Sequence, residues 1–282
     1  MLLGTYTLVC FYRFYSYLNC FYCRASHHQF FVQKEKKLMW CKVPKAASTS
    51  WLFAFLSLAH VPMSEIPEDN GMGLHAFLRE KYPMLTKNLF KKMLPQTIKF
   101  LVARHPFERV ISAYVDKLEN YTRDVEYRGG YYYAMYGHDI VSTYRHKYKL
   151  KFPENPLFDR REPSFLEFVE YLIDTPLEKF DEHWKPIFIL CPPCHFSFDI
   201  IIKMETFKED TNFLLNQRDL DVNILTRKHQ AKGSDGKELA KRLFSQVPKR
   251  MVESLHEKYR VDFDMFEYDL EEYIKLAASD SD

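Results

Sequence analysis

The sequence predicts an α/β fold with a mostly parallel central sheet and helices on both faces. Three observations predict it. Short apolar runs at 38–43, 99–103 and 198–203 each end abruptly and lead into a helix-forming stretch. Strands that alternate with helices in this order are joined by crossovers, which makes the pairing parallel and places helical layers against the sheet. Hydrophobic residues make up 46% of the 282 and aromatic residues 16%, enough for a sizeable core and incompatible with a disordered chain.

Leu38-Met39-Trp40-Cys41-Lys42-Val43 suits a buried strand that stops at Pro44, which cannot donate to a ladder. Ser48 or Thr49 then caps a helix through Trp51 to Ala59. That helix is apolar nearly all round and belongs inside. Val61 to Gly73 holds two prolines and two glycines and reads as a loop. A helical stretch follows, broken near Pro83 and Pro95, and Lys99 to Ala103 is the second strand. Pro106 fits the first turn of a helix, along which Phe107, Val110, Ile111 and Tyr114 recur at helical spacing. Tyr121 to Pro163 is polar, aromatic and basic with weak periodicity, and reads as an insertion or substrate-facing segment. Ser164 with Glu167 three residues later marks a capped helix to Leu172. Phe198 to Lys203 is the third strand, and Thr206–Leu215 and Glu238–Tyr259 read as helices.

A net charge of +2 gives no bulk basicity for nucleic acid, so no such partner is expected. The charge is uneven. Arg79 to Arg104 holds seven Lys/Arg and one acid, Arg145 to Lys151 is a second basic stretch, and the chain after Val261 turns acidic. Such runs are ordinarily solvated faces, and they also suit a polyanionic substrate. Six cysteines are present, two of them in the pair Cys191 and Cys194. One such pair cannot supply four zinc ligands, even with His183 and His195 nearby. A structural disulfide in an oxidising lumen fits better, and no metal is predicted. The sequon Asn120-Tyr121-Thr122 agrees with a secretory route. Residues 1–28 are rich in Leu, Phe, Tyr and Cys, but Arg13 interrupts them and no basic stretch precedes them. They read as a weak or truncated signal-anchor. Residues 29–276 read as one domain, and 277–282 as an acidic tail.

The chemistry concentrates in two strand–loop–helix junctions, with Lys45 and Arg104 59 residues apart. The first runs Pro44-Lys45-Ala46-Ala47-Ser48-Thr49-Ser50-Trp51. A helix N-terminus there turns backbone N–H groups and the positive end of its dipole toward an anion, with Lys45 and three hydroxyls beside it. The loop has no glycine, and its lysine stands three places before the hydroxyls, unlike the GxxxxGK[ST] of an ATP-driven kinase. Alone, it also suits an ordinary capped core helix. The second junction runs Arg104-His105-Pro106-Phe107-Glu108-Arg109-Val110-Ile111-Ser112-Ala113-Tyr114. Arg104 can fork onto a phosphate, and Arg109 and Ser112, three apart, share a helix face. Alone, it also suits an amphipathic helix with an exposed Arg–Glu–Arg cluster.

Together the two junctions resemble the phosphosulfate-binding motifs of the Golgi carbohydrate sulfotransferases, above all the chondroitin/dermatan 4-O-sulfotransferase group. The first motif there looks like P-K-x-A-[CS]-T-[NS]-W and the second like R-x-P-F-E-R-x-x-S-A-Y. A third block is similar: Glu182-His183-Trp184, Cys191-Pro192-Pro193-Cys194, then Asp199, Lys203, Glu205 and Thr206, with Tyr259, Asp262-Phe263, Phe266 and Tyr268 matching the family's ending. The resemblance covers about Lys37 to Leu276. His105 departs from the Glu of many members, and about 36 residues precede the first motif, where members carry a tail, an anchor and a stem.

The resemblance implies the P-loop-like, three-layer sulfotransferase fold and transfer of a sulfo group from 3′-phosphoadenosine 5′-phosphosulfate to a glycan hydroxyl. An acidic glycan acceptor is expected, N-acetylgalactosamine of chondroitin or dermatan type. By the same resemblance Lys45 and the backbone of Ala46 to Ser50 hold the 5′-phosphosulfate, and Arg104 and Ser112 hold the 3′-phosphate, within motifs spanning Pro44–Ser50 and Arg104–Ser112. Lys45 is placed to stabilise the charge that builds on the oxygen bridging sulfur and phosphorus. The acceptor hydroxyl needs a general base, for which His75 is the first candidate and His183 the second. Glu182 is a candidate to orient the histidine or to act itself. The implied location is the Golgi membrane, single-pass type II with a luminal catalytic part. The competing readings are a sulfotransferase for another acceptor, such as protein tyrosine or heparan chains, and an inactive nucleotide-binding homologue.

Overall fold

The computed structural model describes residues 27–67, 72–221 and 233–280. The expected signal-anchor, residues 1–28, therefore lies almost wholly outside the described residues. Among the described residues there are four strands: β1 (Phe30–Gln33), β2 (Leu38–Cys41), β3 (Ile98–Ala103) and β4 (Ile200–Lys203). The α-helices of six or more residues among the described ones are, in chain order, α1 (Ser48–Leu58), α2 (Met72–Lys81), α3 (Lys87–Met93), α4 (Pro106–Lys117), α5 (Tyr121–Arg128), α6 (His138–Lys151), α7 (Phe165–Asp174), α8 (Phe207–Asn216), α9 (Gly233–Phe244), α10 (Lys249–Phe266) and α11 (Glu271–Leu276). The described residues group into two compact units, one built from the chain up to His105 together with the stretch from Lys185, the other from Pro106–Trp184 and the C-terminal helices.

The first unit holds the whole sheet, in the order β1-β2-β3-β4. β1 pairs antiparallel with β2, while β2–β3 and β3–β4 are parallel. The fold is thus a mixed α/β one with a mostly parallel sheet flanked by helices, in agreement with the alternation of strands and helices in the sequence. All four β2 residues are buried, as expected of a strand covered on both faces. The apolar helix α1 packs on the sheet through Trp51 against Phe100 (ring centroids 4.5 Å) and Phe55 against Trp40 (5.4 Å). A disulfide joins Cys41 at the end of β2 to Cys191, Cα–Cα 6.0 Å across 150 residues. Cys194 is disulfide-bonded as well.

The second unit is helical. Phe107 on α4 packs edge-on to Phe263 (5.1 Å) and Tyr273 (5.2 Å) and against Phe244 (5.3 Å). The capping box at the start of α7 is present in full: Glu167 N–H donates to Ser164 Oγ (3.2 Å) and Ser164 N–H donates to Glu167 Oε2 (2.6 Å). Arg145 Nε donates to Glu167 Oε1 (2.5 Å), so this buried carboxylate is charge-paired.

Three sequence expectations change. Tyr121–Pro163, whose weak periodicity marks no helix, is largely helical, with α5, a π-turn at Tyr133–Gly137 and α6. Glu238–Tyr259 is two helices, because Pro248 starts α10 as its N-cap and separates it from α9. Neither Ser48 nor Thr49 caps α1: the N-cap is Ala47, with φ 51° and no side-chain hydrogen bond.

Candidate active site

In the first unit, parallel pairing of β2, β3 and β4 brings their carboxyl ends to one edge of the sheet. Cys41 pairs with Leu101, and Ala103 with Lys203. The chain leaving β2 is the Pro44–Ser50 loop, and the residue leaving β3 is Arg104. This edge is where ligands bind in open α/β sheets. The two junctions meet here, where Arg104 Nη1 donates to the carbonyl oxygen of Lys45 over 3.1 Å.

The loop itself is unusual. Lys45 (φ 65°) and Ala47 (φ 51°) both lie in the left-handed region without being glycine. Such conformations cost of order 1–3 kcal/mol each and persist only where the surroundings enforce them. Here Ala46 N–H is held by Val43 O (3.4 Å), and Trp51 N–H by Ala47 O (3.2 Å). The loop thereby turns sharply into α1, whose leading N–H groups at Ser48, Thr49 and Ser50 have no acceptor within the helix. Pro44 and Ala46 are buried, while Lys45, Ala47 and the three hydroxyl residues are half-buried. Arg104 is half-buried and His105 buried.

In the same unit, Asp199 and Thr206 of the third block brace the two ends of β4. Asp199 Oδ2 accepts from Lys99 N–H (2.7 Å) and from Lys99 Nζ (2.5 Å) at the start of β3 and β4. Asp210 Oδ2 accepts from Thr206 Oγ1 (2.6 Å) and Lys203 N–H (3.0 Å), which fixes the turn after β4. Lys203, to which no ligand role was assigned from sequence, therefore stands at the same carboxyl edge as Lys45 and Arg104. Its partner in the register is Ala103, directly before Arg104. His75 lies on α2, half-buried, also in this unit.

The remaining residues of the second motif lie in the second unit. Pro106, Phe107, Val110 and Ile111 are core residues of α4. Arg109 has no exposed surface at all, which rules out the alternative of an exposed Arg–Glu–Arg cluster. Glu108 and Ser112 are half-buried on the same helix.

His183 sits in the second unit in a polar pocket among aromatic rings. Its Nδ1 lies 2.6 Å from Asp181 Oδ1 and 3.3 Å from the Tyr132 hydroxyl. Its backbone N–H donates to the same Asp181 oxygen (2.9 Å), and Tyr136 OH donates to the other (3.3 Å). Burial pushes the imidazole below its ordinary value, and the Asp181 hydrogen bond opposes this without cancelling it. Burial also pushes the Asp181 carboxyl up, but the hydrogen bonds from His183 outweigh it and hold the carboxyl low. Lys117, its Nζ 4.6 Å from the Tyr132 ring centroid, is lowered by burial in its turn. The next residue, Trp184, is fully buried and its carbonyl accepts from Tyr259 OH at 2.6 Å. Trp184 and Tyr259 thus anchor the segment that carries His183. The carboxylate on the histidine is Asp181, one place before the Glu-His-Trp triplet.

Among the described residues no group of three or more His, Cys, Asp and Glu is arranged to hold a metal ion, and no helix is long and apolar enough to cross a membrane.

A family model described as the Sulfotransferase family matches residues 28–269. Carbohydrate sulfotransferase 11 of Rattus norvegicus is 28% identical over 256 residues, covering 87% of this chain and 68% of its own length. Carbohydrate sulfotransferase 12 of Xenopus laevis is 27% identical over 250 residues, covering 82% and 58%. Carbohydrate sulfotransferase 8 of Homo sapiens is 26% identical over 244 residues, covering 84% and 55%. No solved structure matches the chain. The family match runs from the first strand to the last long helix and takes in both junctions, so the chain belongs to the sulfotransferase family of enzymes.

Proposed function

We propose that this enzyme is a carbohydrate sulfotransferase that moves a sulfo group from 3′-phosphoadenosine 5′-phosphosulfate to a glycan hydroxyl, that of N-acetylgalactosamine in a chondroitin- or dermatan-type chain. The observation that carries the donor assignment is the Arg104–Lys45 hydrogen bond of 3.1 Å. It brings the Arg104 guanidinium to the backbone of Lys45, beside the N-terminus of α1, a setting that suits a carrier with phosphate at both ends. Lys45 and the α1 N–H groups take the 5′-phosphosulfate, and Arg104 takes the 3′-phosphate.

The reaction is an in-line displacement. The acceptor oxygen forms a bond to sulfur, the bond from sulfur to the bridging oxygen breaks, and the hydroxyl proton passes to a base. The bisphosphate leaves with the bond's electron pair. Lys45 meets charge that grows on the bridging oxygen, an interaction stronger in the transition state than before it. The relatives named carbohydrate sulfotransferase support a glycan acceptor. Lys91 and Lys92, both exposed on α3, support an acidic one. The second basic stretch offers less: Arg145, Lys147 and Lys149 are already paired with Glu167, Glu170 and Asp159. The Cys41–Cys191 disulfide supports a luminal catalytic part, consistent with a Golgi location.

The test is transfer of labelled sulfate from the donor to a panel of desulfated chondroitin, desulfated dermatan, glycans ending in N-acetylgalactosamine, heparan and a tyrosine peptide. Label on the first three supports the reading. Label confined to heparan or the peptide overturns the acceptor, and donor binding with no transfer to any of them identifies an inactive homologue.

A further inference from the structure

The edge of the sheet opposite the two junctions, in the same unit, carries charge that donor binding does not use. β1 and β2 join in a hairpin whose tip, residues 34–37, reads Lys-Glu-Lys-Lys. Gln33 fixes that tip: its Oε1 accepts from Glu35 N–H (2.8 Å), and its Nε2 donates to the Leu58 carbonyl at the end of α1 (3.0 Å). The start of β3 is tied to the same tip, because Ile98 N–H donates to the Lys37 carbonyl at 2.8 Å. The end of α3 is tied in turn to the start of β3. Thr97 Oγ1 donates to Met93 O (3.0 Å), and Gln96 Nε2 donates to Lys92 O (3.1 Å). Two basic segments far apart in sequence thus come together at the amino edge: Lys34, Lys36 and Lys37 on the hairpin, Lys91 and Lys92 on α3. All five are exposed. Among the described residues none of their ammonium groups has a hydrogen-bond or ion-pair partner.

We propose that this face is a docking surface for the acidic polysaccharide chain of the acceptor, gripping it at a distance from the hydroxyl that receives sulfate. The identity of the chain rests on the sulfotransferase reading above and deepens it; the surface itself stands on the lysines. Their charge is local: the whole chain carries only +2, and the only acid on the hairpin tip is Glu35. Asp199, the acid beside the start of β3, is already engaged by Lys99 at 2.5 Å. A field of one sign over a small face draws in a polyanion. Neither segment holds an arginine. Arginine forks onto one fixed anion, whereas lysine is a mobile point charge that follows carboxylates spaced along a flexible chain. Among the described residues no large hydrophobic side chain lies exposed on the hairpin tip or between Lys91 and Lys99, so the face lacks the apolar anchors of a membrane-surface segment. Six residues of β3 separate Ile98 from Arg104, which at about 3.3 Å each is roughly 20 Å. An acceptor of one or a few sugars at the carboxyl edge does not reach the lysines, but a long chain can. Its hold at one edge raises its effective concentration at the other.

The experiment titrates the full chain with long, unsulfated chondroitin in a calorimeter, at low salt and at about 0.15 M ionic strength. It compares wild type, Lys34→Gln/Lys36→Gln, Lys91→Gln/Lys92→Gln, the four changes combined, and the same four lysines changed to Arg. Each pair should weaken chain binding by about threefold and the four together by about tenfold, since exposed charges contribute little singly and add up. The Arg version keeps the charge and should bind as wild type does. Wild-type affinity should fall as salt rises. Affinity for 3′-phosphoadenosine 5′-phosphate should stay within about twofold throughout, which also shows that each variant is folded. The two pairs lie on different elements, so if one fails to fold the other still decides. A combined variant that holds the chain as tightly as wild type, or wild-type binding indifferent to salt, would overturn the inference. So would a wild type that ignores the chain and binds phosphatidylserine vesicles through these lysines. Sulfate transfer by the wild type survives all three of those results. Conversely, a wild type that binds the chain through these lysines and transfers no sulfate removes the functional reading while the surface stands.

Discussion

Replacing Cys41 and Cys191 together by Ala removes a covalent tie across 150 residues, immediately before the loop that carries Lys45. In the chain-entropy description a closed loop of that length restricts the unfolded state by about 5 kcal/mol. Measured values run lower, at roughly 2–4 kcal/mol, since real unfolded chains keep some structure. Both cysteines are completely buried, so the double substitution removes little beyond the bond and two sulfur atoms. For a chain of this size a loss of about 3 kcal/mol corresponds to a fall in Tm of about 5 °C. Thermal unfolding of the oxidised wild type and the double variant, each followed by circular dichroism, measures it. Cys194 stays in place in both, so its own bond is held constant. A fall below about 2 °C would refute the reasoning, because it would mean that β2 and the Cys191 turn are held together without the bond.

Lys45→Ala should lower kcat more than it raises the acceptor KM, since the lysine meets charge that appears only in the transition state; steady-state kinetics with varied acceptor decides, and the reverse pattern would leave Lys45 a binding residue alone. Tyr259→Phe leaves the buried Trp184 carbonyl without its 2.6 Å donor and should cost about 1–3 kcal/mol in urea unfolding; an unchanged midpoint would contradict it. Stability should also depend on pH through His183. Burial holds its folded value below the ordinary 6.5, so the unfolded chain binds more protons as the medium acidifies. The contribution is complete above about pH 6.5 and is lost as pH falls toward the folded value. His256 shifts the same way, so the assay is the difference between wild type and His183→Gln in the unfolding midpoint from pH 7.5 to 5.5. Curves that stay parallel would contradict it.

The sheet was legible because its strands are dense apolar runs with sharp ends. Val43-Pro44 and Ala103-Arg104 mark two of those ends within a few residues, and Ser164 with Glu167 announces α7 through a box that forms as expected. β1 escaped notice because its apolar run is only Phe30-Phe31-Val32, set between polar residues with no turn signal to mark its ends. The Tyr121–Pro163 stretch misled because its buried residues are sparse: Tyr132, Ile140, Tyr148 and Phe158 are core, but long polar and basic side chains separate them and mask the helical repeat. The N-cap of α1 failed for a different reason. Nothing in Lys45-Ala46-Ala47 suggests left-handed backbone, which is a property of how the loop is held between Val43 and Trp51. For the partner of His183, the triplet itself points to Glu182, whereas the geometry puts Asp181 on the ring. An acidic residue two positions before a histidine is the signal that was available, since an Asx turn brings just that carboxylate back to the ring.

The central claim is that the Pro44–Ser50 loop and Arg104 together hold one carrier with a phosphate at each end. Calorimetric titration of wild type, Lys45→Ala and Arg104→Ala with 3′-phosphoadenosine 5′-phosphate tests it most directly. One site on the wild type is expected, weakened by about 10–100-fold in each variant, the scale of a lost hydrogen bond to a charged group. An absence of binding heat in the wild type, or variants that bind as tightly as it does, would contradict it.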